Sequence, residues 1–141
     1  MARFAALVPE LILSIGGTIL MLMAAFAGRR GSGMINWLAV ILLLAATATL
    51  IGAPSHAGPV FDGLMSEDLF ASFGKAIIFP AAAVAIVGAH GWFERSAEHA
   101  SEYAVLIVFA AVGMSVMVSA TSLISLYVGL ELQSLAAYVL A

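Results

Sequence analysis

Charge in this chain comes in small groups separated by long uncharged runs, and the lengths of those runs decide what it can fold into. Eighteen uncharged residues lie between Glu10 and Arg29, thirty-one between Arg30 and Asp62, eighteen between Lys75 and Glu94, and twenty-eight between Glu102 and Glu131. A hydrocarbon layer about 30 Å thick is crossed by roughly 20 helical residues, each rising about 1.5 Å. The runs therefore predict a polytopic all-α bundle of transmembrane helices. Composition agrees: 64% of the 141 residues are hydrophobic and 9% charged, against about a quarter charged in a soluble domain. Five basic residues and eight acidic ones exclude a soluble enzyme, a disordered tail and a nucleic-acid binder, which needs a basic face. With no cysteine, neither a disulfide framework nor a thiolate metal site is available. A net charge of −3, scattered along the chain, points to no electrostatic partner.

Breakers and anchors place five spans. The first runs over about 4–27, with Pro9 in its opening turns, where a missing N–H is tolerated. The sequence Gly28-Arg29-Arg30-Gly31-Ser32-Gly33 closes it. Its apolar stretch is long and carries Glu10, so it reads as a retained helix and not as a cleaved signal. The second covers about 34–51, with Trp37 as an interfacial anchor. The run from Ala53 to Pro59, with Pro54, Gly58 and Pro59, cannot continue that helix. It opens the longest loop, an acidic one with Asp62, Glu67 and Asp68. The third span, about 70–92, holds Lys75 near one end and Pro80 inside, where a kink is expected. From Tyr103 to Ala141 the chain would make about 58 Å of helix, close to two crossings. Ser119-Ala120-Thr121-Ser122 supplies the break and good N-caps, giving spans of about 103–118 and 121–141. The whole reads as one membrane domain with no linker. An outside N-terminus puts Arg29, Arg30 and Arg95 inside against Arg3 and Lys75 outside, the arrangement that the positive-inside rule prefers.

This division sets Glu131 ten residues, roughly 15 Å, into the fifth helix and so at the bilayer midplane. A charge at that depth costs about 2.5–3.5 kcal/mol on insertion scales, and intramembrane carboxyls mark ion or proton pathways. Glu131 is therefore the candidate proton-transfer residue, weighed against a purely structural glutamate that tightens helix packing. At 100° per residue Ile124, Tyr127, Ser134 and Tyr138 share its side of the helix. The last three can hydrogen-bond and are its candidate neighbours. Gln133 points nearly opposite, and Ser125 with Gly129 permits close approach by another helix. A positive charge about 7 Å away couples to a carboxylate by about 2.4 kcal/mol at an effective dielectric near 20, more than tenfold in proton occupancy. Moving such a charge would switch Glu131 between holding and releasing its proton.

Other residues offer less. Lys75 is a secondary charge, about one turn into its helix and within snorkelling reach of the interface. Glu10 lies near a helix start, where the dipole favours an anion. His90 and His99 lie near Glu94, Glu98 and Glu102, but a solvated loop is the simpler reading than a metal site. His56 sits among turn residues. The seven methionines read as packing. Without a phosphate loop, a nucleophile–base pair or a haem motif, no cofactor or metal is expected on this chain.

The stretch Glu102-Tyr103 to Gly113-Met114, then Ser125-Leu126-Tyr127-Val128-Gly129-Leu130-Glu131-Leu132-Gln133-Ser134-Leu135 with Tyr138-Val139-Leu140-Ala141, resembles the antiporter-like subunits of bacterial respiratory complex I. Val8-Pro9-Glu10 and the 70–75 region fit more loosely. The resemblance implies about fourteen helices built as inverted repeats of five, each with a broken helix, an outside N-terminus and a bacterial inner-membrane location. It implies that the fifth-helix glutamate, matched by Glu131, pairs with a lysine on the seventh helix in a proton-translocating subunit. Partners would be the other membrane-arm subunits, lipid and protons, while NADH and quinone bind elsewhere in the assembly. The alternatives are a cation/proton antiporter or membrane-bound hydrogenase subunit on the same scaffold, or a structural membrane subunit. The resemblance matches the first third of a family member. The chain is thus expected to be a fragment, with the partner lysine and the rest of the proton path outside it.

Overall fold

The computed structural model describes residues 7–27, 31–51, 59–96 and 100–141. Five helices are joined through one short β-ribbon: α1 Val8–Ala27, α2 Ser32–Ile51, β1 Pro59–Val60, β2 Met65–Ser66, α3 Leu69–Ser96, α4 Ala100–Ser119 and α5 Leu123–Leu140. All five helices are long and apolar enough to cross a membrane. Residues 4–6 of the expected first span lie outside the described residues. The third helix starts at Leu69, where Asp68 Oδ1 accepts the N–H of Ala71 at 2.8 Å. Such a cap satisfies one of the donors that every helix start leaves open. The fifth helix begins at Leu123, two residues later than expected, because Ser122 is its N-cap. Ser122 has extended backbone (φ −116, ψ 153), and its side chain accepts the N–H of Ser125 at 3.1 Å.

The α4 helix is the hub. It packs against each of the other four helices, whereas α5 packs chiefly on α4. Small residues explain this. Ala104, Ala110, Ala111, Gly113 and Ser115 along α4 are all buried, and without bulky side chains the neighbouring backbones come close. Gly17 of α1 rests on Val108 and Phe109, and Gly74 of α3 rests on Val118. The core joins Leu13 and Leu20 of α1, Ile35, Ala39 and Leu43 of α2, Phe79 and Ile86 of α3, and Val108 and Ala111 of α4. Hydroxyls within the helices turn inward to their own backbone: Thr47 Oγ1 donates to Leu43 O at 2.9 Å, and Ser115 Oγ donates to Val112 O at 2.8 Å. A polar group in an apolar surrounding is satisfied this way without a partner helix.

The long acidic loop is more than a plain connection between helices. It is not wholly irregular, because Pro59 pairs with Ser66 and Val60 with Met65 in an antiparallel ribbon. The tip reverses through Phe61 (φ 51), Asp62 (φ 53) and Gly63 (φ 88), left-handed positions that Gly and Asp enter far more readily than Phe does. The ribbon is also fastened down. Met65 bridges Ala120 in the α4–α5 turn, Thr121 N donates to Leu64 O at 3.1 Å, and Thr121 Oγ1 donates to Gly63 O. Val60 packs on Leu7 just before α1. The ribbon therefore covers the end of the bundle where α1, α3 and α5 begin and α4 finishes.

Candidate functional site

Glu131 is the ninth of the eighteen residues of α5, roughly 12 Å from the helix start. Its side of the helix is set by the way α5 meets α4. A β-carbon on Gly129 would lie 2.8 Å from Met117 Cγ and 2.9 Å from Gly113 O, and one on Gly113 would lie 2.6 Å from the backbone N of Gln133. The two backbones thus cross in contact at Gly113 and Gly129, with Gln133 one turn on. Glu131, about 200° around the helix from Gly129, faces away from the described bundle and is exposed. Tyr127, one turn earlier on the same side of α5, is exposed as well. Tyr138 is exposed on the same helix and Ser134 is half-buried.

The structure brings together a second set of charges that the sequence does not join. Lys75 is fully buried, with Glu10 at 7% and Glu67 at 6% exposure. Its ammonium forms an ion pair with Glu10 Oε1 and another with Glu67 Oε1 at 2.5 Å. Ser119 Oγ donates to that same Glu67 oxygen at 2.8 Å. The snorkelling expected of Lys75 does not occur. Glu67, just before α3, takes the ammonium inward under the ribbon, and Glu10 receives it from α1. Glu10 is correspondingly not a helix-dipole anion at a wet boundary, and Glu67 is not a solvated loop acid.

Burying ions costs several kcal/mol each, and only direct pairing with further hydrogen bonds offsets this. The geometry meets that condition unequally. Glu67 Oε1 has two donors, whereas Glu10 meets Lys75 through Oε1 alone and its Oε2 is buried without a hydrogen-bond partner among the described residues. Sequence spacing hides the cluster, since Glu10 and Lys75 stand far apart in the chain. One signal was available: α1 and α3 both begin at the same end of an up-and-down bundle, and each carries a charge within its first two turns.

At the opposite end, Asn36 Nδ2 of α2 donates to His90 Nδ1 of α3 at 3.1 Å. Trp37 beside it is exposed, in keeping with an interfacial position. His56 and His99 lie outside the described residues, as does Glu98, and with them the weighed metal grouping.

Fold and charges together define a class: a bundle segment of five membrane-length helices with one mid-helix carboxyl on an open face and a buried three-charge cluster at one end. Named relatives match the chain over nearly its whole length. The chain is 52% identical over 141 residues, 99% of its length, to NADH-quinone oxidoreductase subunit N of Rhizorhabdus wittichii. It is 44% identical over 140 residues to the protein of that name from Sphingopyxis alaskensis, and 38% identical over 136 residues, 96% of this chain, to that from Azorhizobium caulinodans. The resemblance to the antiporter-like complex I subunits is thereby shown, with subunit N as the member matched. The chain spans 29% of the length of each of these three relatives, at their N-terminal end. No protein-family model matches it.

Proposed function

We propose that this chain is the N-terminal part of a proton-translocating membrane subunit of an NADH-quinone oxidoreductase of the bacterial inner membrane, and that Glu131 is its proton-exchanging group. One observation carries the reading: an ionisable side chain stands at the middle of a membrane-length helix, on the face turned away from the helix's own packing partner. A carboxylate facing lipid at that depth is expensive, and intramembrane acids face protein interiors or water-filled cavities. Most of each relative's length lies outside the matched portion, which supports further helices of the same subunit as the cover for this face. Among them would be the base that pairs with Glu131. Tyr127, four residues earlier on the same exposed side of α5, supports the role as a hydroxyl within reach of the carboxylate.

Under this reading NADH oxidation and quinone reduction occur on other subunits, and this chain contributes a charge whose proton occupancy responds to its neighbour. The test is Glu131→Gln in the complete complex, in sealed vesicles, with NADH oxidation and proton uptake measured together. Fewer protons per electron pair, with the complex assembled, is the expected result. An unchanged ratio overturns the proposal. Loss of assembly on a native gel, with a normal ratio in the residual complex, assigns Glu131 a structural role instead.

A further inference from the structure

The cluster under the ribbon contains two carboxyls and one ammonium. Among the described residues, the groups facing it are Glu10 from α1, Glu67 from the segment before α3, Lys75 from α3 and Ser119 from α4, the last reaching only Glu67. With both acids ionised the site would hold an uncompensated negative charge at 0–7% exposure, and a buried charge lacking an answer is the costliest arrangement available.

The hydrogen bonding says which acid is left over. Glu67 Oε1 accepts from Lys75 Nζ and from Ser119 Oγ, the pattern that holds a carboxylate in its charged form. Glu10 meets Lys75 through Oε1 alone, and its Oε2 is buried with no hydrogen-bond partner among the described residues. An unpartnered oxygen is tolerated far better on a neutral carboxyl than on an anion.

We propose that this cluster is a proton-binding site in which Glu10 holds a proton while Glu67 and Lys75 form the charged pair. The site is then neutral as a whole. It lies at the ribbon-covered end of the bundle, and the Thr121 hydrogen bonds to Gly63 and Leu64 hold its cover closed. The inference is independent of any role for Glu131.

The test compares Glu10→Gln with Glu67→Gln in the full-length subunit within the complete complex. Glutamine is a neutral isostere of a protonated glutamate, so Glu10→Gln should assemble as wild type does on a native gel. Glu67→Gln removes the carboxylate paired with Lys75, and Glu10, already in contact with that ammonium, must then release its proton to answer it. In infrared difference spectra, assembled Glu10→Gln should lack one protonated-carboxyl carbonyl band that wild type has and that shifts in D2O. The proposal is overturned if Glu10→Gln assembles clearly less well than wild type, if Glu10→Gln leaves the protonated-carboxyl bands intact, or if assembled Glu67→Gln keeps the band that Glu10→Gln lacks.

Discussion

Replacing Gly113 with alanine adds one methyl carbon to the α4–α5 crossing, where the two backbones meet. That carbon would sit 2.6 Å from Gln133 N, 2.8 Å from Gly129 O and 2.9 Å from Gln133 Cβ, where ordinary contact begins at 3.4 Å. Two of the three atoms are α5 backbone, which cannot rotate aside, so α4 and α5 must part by about 0.8 Å. Overpacking of this kind costs about 1–3 kcal/mol, and the close contacts between the two helices weaken with it. Gly16→Ala is the matched control. Its β-carbon would come as near, 2.5 Å, but to Leu42 Cδ1, the far end of a flexible side chain that can change rotamer. The assay is loss of assembled complex in detergent during a heating series, followed on native gels, with both variants in the full-length subunit. Gly113→Ala should disassemble at clearly lower temperature and Gly16→Ala near wild type. Equal behaviour of the two variants refutes the reasoning that backbone contact, and not proximity alone, makes Gly113 irreplaceable.

Two further expectations concern the charge cluster. Lys75→Met leaves Glu67 buried without its counter-charge and should destabilise by about 3–5 kcal/mol, seen as near-absence of assembled complex beside a normal transcript level. Ser119→Ala removes one of two donors to Glu67 Oε1 and should cost about 1.5–3 kcal/mol. Because the two act on one oxygen, the double variant should lose less than the separate losses combined, which a denaturation series on all three variants checks.

Five helices were legible because charge is so sparse that each of the four long uncharged runs leaves room for about one bilayer crossing or more. The α4–α5 break was legible from four small residues, and Ser122 caps α5 as a serine at that place should. The ribbon was not legible. Two-residue strands carry no alternation to read, and the pairing is held by contacts to Ala120 and Thr121, far along the chain. Glu131 was conspicuous because it interrupts an apolar run. The Glu10–Lys75–Glu67 cluster was not, since each member lies near a helix start where a solvated charge is ordinary. Only the packing of α1 and of α3 on α4, with Ser119 at the end of α4, makes those positions interior.

The central claim is that the Glu131 face of α5 looks into protein and not into lipid. The chain has no cysteine, so a single spin label at Glu131→Cys in the full-length subunit, in an otherwise cysteine-free background and within the assembled complex, reports on that face directly. Low accessibility to oxygen, with side-chain motion slowed as in a packed interior, is the predicted result. Free motion with the high oxygen accessibility of an acyl-chain environment would contradict it.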